Sequence, residues 1–131
     1  MTAQATPPAA GQPDRTRTEL VTVLRDRLDQ EKRRYVDATL DVRIATERWA
    51  RHPTEEHRLV LVDELTVGLC LGRNHLLCLD DLGRALDPAV SATELDVVVA
   101  AKEDVQGWLT RCGEQLRRLF EPAPPPRSHP R

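Results

Sequence analysis

The chain has 131 residues, 31% of them charged and 40% hydrophobic, with a formal net charge of −2. That length suits a single domain, and the near-neutral balance argues against a polyanion partner, which a basic excess would signal. Aromatic residues make up only 3%, so the core has to be built from Leu, Val and Ala, a composition that favours helices.

Residues 1–14 lack large apolar side chains and cannot offset the entropy of ordering, so this segment is predicted to be a disordered tail. It has neither a basic n-region nor an apolar h-region, and no signal peptide is expected. A first helix is predicted over about 16–51. Its apolar seam runs Val21, Leu24, Leu28, Glu31, Tyr35, Ala38, Val42, Ala45, Trp49, with the alternating three- and four-residue gaps that keep one face toward a partner helix. His52-Pro53 ends it, because proline lacks an amide hydrogen and clashes with the preceding turn.

Thr54 is the expected N-cap of a second helix over 54–86, with Glu55 and Glu56 suited to the positive end of the helix dipole. Its seam is Val62, Leu65, Leu69, Gly72, Leu76, Leu79, Gly83, Leu86, with Arg73, Asn74 and His75 beside the centre. Further apolar residues lie off this seam, which predicts a helix buried on more than one side. Leu61, Leu71, Leu77 and Cys78 are therefore the expected interaction face. Gly68-x-x-x-Gly72 would admit a bulky neighbour such as Trp49 or Tyr35.

Asp87-Pro88 ends the second helix. Ser91-Ala92-Thr93-Glu94 matches a capping box, in which Ser bonds forward and Glu reaches back, and predicts a third helix over 91–120. Its seam is Leu95, Val98, Lys102, Val105, Leu109, Cys112, Leu116, Leu119. Residues 122–131 are Pro-rich and predicted to be a disordered, polyproline-type tail. Three helices of similar length joined by short turns predict an all-α, antiparallel up-down-up bundle in one domain over 15–121.

Folding back at Pro53 and Pro88 would bring the polar exceptions of the three seams into one layer: Glu31, Arg73, Asn74, His75 and Lys102. Such a layer is expected to fix register, as polar seam residues do in coiled coils. A functional pocket there is the lesser expectation.

Known chemical motifs are missing. Cys70, Cys78 and Cys112 lack the close pairing of zinc ligands, and no Glu-x-x-His is present for a di-iron bundle. Gln106-Gly107-Trp108 reverses the order of a WXG turn. No Gly-rich phosphate loop, G-x-S-x-G or H-E-x-x-H occurs. No catalytic residue, metal or cofactor is expected. An odd set of three cysteines and no apolar run long enough for a bilayer lead to a cytoplasmic expectation.

Basic character comes almost wholly from Arg, with Lys only at 32 and 102, a bias that suggests a high-GC bacterial genome. The functional expectation is a non-enzymatic helical module for protein partners or self-association. It would be a small accessory or adaptor subunit of a larger bacterial signalling or defence assembly. Nucleic-acid binding through Lys32, Arg33, Arg34 or Arg111, Arg117, Arg118 is the disfavoured alternative.

Overall fold

A computed structural model describes the backbone of residues 11–122 and the side chains of residues 15–122. Three helices occupy almost all of it: α1 (Gly11–Arg51), α2 (Glu55–Ala85) and α3 (Ala92–Phe120). The all-α prediction holds, and the breaks fall at the two predicted prolines. The predicted tails at 1–10 and 123–131 lie outside the described residues.

α1 starts at Gly11 rather than near Thr16, so the predicted tail is too long by residues 11–14. Pro13 sits in its first turn, where amide hydrogens have no intrahelical partner and a missing one costs little. With 41 residues against 31 and 29, α1 is the longest rod, not one of three near-equals.

Both turns are closed by local hydrogen bonds. Thr54 caps α2 as expected, its Oγ1 accepting from the His57 amide at 3.2 Å. Asp87 organises the second turn: its Oδ1 accepts from the Ala89 amide at 3.0 Å, and its carbonyl accepts from Ser91 at 2.8 Å. Ser91 stands at the N-cap of α3 but makes no side-chain capping bond. The boundary prediction was right and the capping box is not formed. Glu94 instead crosses to α1, where Arg25 donates from Nε to its Oε2 at 2.8 Å and from Nη2 to its other oxygen.

Side-chain contacts set the helix directions. Arg17 near the start of α1 donates to the carbonyl of Ala85 at the end of α2. Arg58 near the start of α2 donates to the carbonyl of Leu119 at the end of α3. Gln115 of α3 bonds Thr46 of α1, both near the ends of their helices. α2 is thus antiparallel to its two neighbours, which run parallel to each other, and the order is up-down-up.

α2 is the central element. Among the described residues, no Cα of α1 comes within 8 Å of a Cα of α3, so those two helices meet only through side chains. The aliphatic core forms two clusters. One gathers Val21, Leu79, Leu82, Leu86, Val98 and Val105 around the α2–α3 turn. The other gathers Val42, Ala45, Leu61, Leu65 and Cys112 toward the opposite end. Between them α2 contributes Gly68, Gly72 and His75, all buried.

Candidate functional site

The middle of the bundle is aromatic where the sequence predicted ion pairs. His75 is 4% exposed, and Tyr35 of α1 stacks on it with ring centroids 5.0 Å apart and planes inclined by 22°. Trp108 of α3 meets Tyr35 edge-on at 5.2 Å and 86°. The three rings, one from each helix, bridge the two aliphatic clusters.

Gly68 and Gly72 make room for this layer. A Cβ built on Gly68 would lie 2.9 Å from Trp108 Cη2 and 3.3 Å from Val42 Cγ2. One on Gly72 would lie 2.7 Å from Leu109 Cδ2. The glycine spacing does admit a bulky neighbour, but it is Trp108, not Trp49 or Tyr35. Close approach of α3 explains two glycines that each cost helix propensity of about 1 kcal/mol.

The predicted polar layer is only partly assembled. Glu31 lies near His75, with its side chain 17% exposed, but Tyr35, one turn further on, takes the stacked position. Glu31 Oε1 is 3.4 Å from Arg34 Nη1, while its Oε2 and the Nδ1 of His75 are buried without a hydrogen-bond partner. Arg73 and Asn74 are exposed and belong to no layer. Lys102 does not face His75: its Nζ pairs with Asp80 Oδ1, more than a turn along α2. The bend at Pro88 does bring these stretches together, with Trp108 against Gly68 and Arg58 bonded to Leu119, but within the layer Tyr35 and Trp108 take the central places and the Lys102 side chain extends to Asp80.

Burial keeps the central groups chemically quiet. Desolvation lowers the pKa of His75 from its ordinary 6.5; nearby Lys32 adds to this and Glu31 opposes it. His75 is therefore neutral at pH 7. Desolvation also raises the Tyr35 phenol, and it pushes the Cys112 thiol to about 11. A protonated buried thiol is a small apolar side chain, not a nucleophile. Cys78 is likewise buried with a raised pKa, while Cys70 is exposed. Among the described residues no group of three or more His, Cys, Asp or Glu side chains is placed to hold a metal ion.

The surface clefts lie elsewhere and are open. One is bounded by Arg17, Arg25, Leu86 and Ser91 at the α2–α3 turn. Another follows the α1–α3 groove past Thr39, Trp108 and Gln115. The Glu31, His75 and Lys102 side chains line neither.

Comparison with protein-family models, with curated proteins and with solved structures yields no match.

The expected interaction face on α2 needs correcting. Leu61 is 0% exposed and Cys78 5%; both belong to the core. Leu71 is half-buried, and only Leu77, 60% exposed, projects freely. A more continuous apolar surface lies on α1. Val36, Leu40 and Ile44 are 50%, 53% and 39% exposed, and their four-residue spacing stacks them along a solvent-facing side of α1, with Ile44 bordering a cleft to Val60 and Glu64 of α2. This row was missed because the Tyr35–Ala38–Val42–Ala45 seam dominates the same stretch. Its signal was a second four-residue period, about half a helix turn out of phase with the first.

No helix among the described residues is long and apolar enough to cross a membrane.

Proposed function

We propose that this protein is a non-enzymatic helical interaction module, acting as a small accessory or adaptor subunit of a larger bacterial signalling or defence assembly. The observation that carries this reading is the exposed Val36–Leu40–Ile44 row on α1. Isolated surface apolar residues need no explanation, but an aligned set on a long helix is the usual form of a docking face. The bacterial setting rests on the Arg-rich composition alone.

The chemistry of the interior favours the same reading. Its central rings are packed against one another, its buried thiols are protonated, and Lys102 is committed to Asp80. The basic residues considered for nucleic acid are partly neutralised within the chain: Arg34 pairs with Glu31, Arg117 with Glu121 and Arg118 with Glu114.

The test is affinity capture from the native host with the full chain as bait. A parallel bait carries Val36→Ser, Leu40→Ser and Ile44→Ser. A protein retained by the first and lost by the second supports the proposal. Identical capture profiles overturn it.

A further inference from the structure

The outer face of α1 carries more than its three apolar residues. At gaps of four, three, four, four, three and four, the same face bears Asp29, Arg33, Val36, Leu40, Ile44, Glu47 and Arg51, all exposed. Read from either end, the apolar triplet is flanked by charges of alternating sign. The order is acid, base, three apolar residues, acid, base.

From this pattern we infer that α1 pairs antiparallel with α1 of a second copy of this chain, about a two-fold axis passing beside Leu40. The inference rests on the interaction-module reading and names the partner. A two-fold interface brings the same patch together from both sides, so each residue must tolerate its symmetry counterpart. With Leu40 on the axis, Val36 meets the partner's Ile44. One step outward Arg33 meets the partner's Glu47, and a further step brings Asp29 to the partner's Arg51. Each outer contact joins opposite charges, and each occurs twice.

Within one chain these charges are little used. Among the described residues Asp29, Arg33 and Arg51 form no ion pair, and Glu47 has only a long one, 3.7 Å to Arg43. The i and i+4 neighbours Asp29 and Arg33 leave each other unpaired. Electrostatic complementarity of this kind selects orientation and register more than it adds affinity. A parallel pairing in register would place every charge against its own copy, so the pattern specifies the antiparallel arrangement.

The matched stretch is short, roughly 33 Å of helix at 1.5 Å per residue. One helix face of that length buries less than about 1,200 Å² in total, the range of transient contacts. Asp37 and Asp41 lie on one flank and approach their own symmetry mates, which weakens the pair further. The expected species is a weak, reversible dimer.

Sedimentation equilibrium on the full chain, from low micromolar to about 1 mM, tests the inference. Dimerisation is expected within this range. Arg33→Glu and Glu47→Arg should each raise the dissociation constant roughly tenfold or more, and combining them should restore it to near the wild-type value. Leu40→Glu should abolish the dimer. These positions are exposed, so unchanged helical circular dichroism and melting temperature will confirm that each variant folds. A chain that stays monomeric to the top of the range overturns the inference, as does a dimer indifferent to Leu40→Glu or not rescued by the double reversal. Those results leave the interaction-module reading to its own test: a monomer whose α1 face still captures a different protein would fail here and pass there.

Discussion

Trp108 of α3 occupies the space that a side chain at position 68 would need: a Cβ on Gly68 would come within 2.9 Å of the ring. The ring cannot easily swing away, because Tyr35 stands against it edge-on. This contact brings α3 close against the middle of α2.

Gly68→Ala should therefore destabilise the fold even though alanine is the better helix former. The propensity gain is about 1 kcal/mol, and the clash with a rigid ring in a packed interior costs typically 1–3 kcal/mol or more. Gly72→Ala meets first the end of the Leu109 side chain, which can turn aside, and the Trp108 ring only at 3.3 Å, so it should cost less. Gly113 has nothing within 4 Å of a built Cβ, so Gly113→Ala should stabilise by about 0.5–1 kcal/mol. Urea denaturation of the three variants checks the order.

The same contact predicts a coupling. Trp108→Leu removes the obstructing ring, so Gly68→Ala should cost less in that background than in the wild type. A double-mutant cycle should give an interaction energy of about 1 kcal/mol or more. Additive effects would show that the clash is relieved by some other movement.

Acid should weaken the fold through His75. Its folded-state pKa is lowered from 6.5 by burial, so below that pH the unfolded chain takes up the proton more readily than the folded one. Stability is then fully present above about 6.5 and is lost as the pH falls through and below it. The urea midpoint of the wild type should drop between about pH 7.5 and about pH 5.5. His75→Leu should flatten that drop, whatever its effect at the higher pH.

Lys102→Leu should change stability by less than about 1 kcal/mol, as expected for a partly solvated ion pair. Lys102 and Asp80 keep 33% and 28% of their side-chain surface exposed. A loss of more than about 2 kcal/mol in urea denaturation would show that this pair anchors α2 to α3.

Thiol labelling of the native protein should modify Cys70 alone. Cys78 and Cys112 are buried, and the Cys112 thiol is held at about 11. Mass spectrometry after limited exposure to a thiol reagent should find one adduct, and three after unfolding in denaturant.

The sequence by itself determined the rods and their ends. Pro53 and Pro88 forbid helix continuation, and Thr54 supplies a cap from within its own first turn. These effects act over a few residues and are complete within the local chain. The seams from Val21 to Trp49 and from Leu95 to Leu119 named the buried faces for the same reason, since helical period alone places them on one side. Tertiary structure decided everything that depends on where a neighbouring helix comes to rest. Glu31 yielded its expected place to Tyr35, and Lys102 found Asp80, because bending at a proline fixes which stretches lie side by side but not which side chains within a turn of one another meet. Leu61 and Cys78 became core and Leu40 surface, because α1 lies over one flank of α2 and leaves its own far side uncovered. Apolar periodicity tells which residues seek cover; only the packed arrangement tells which of them receive it.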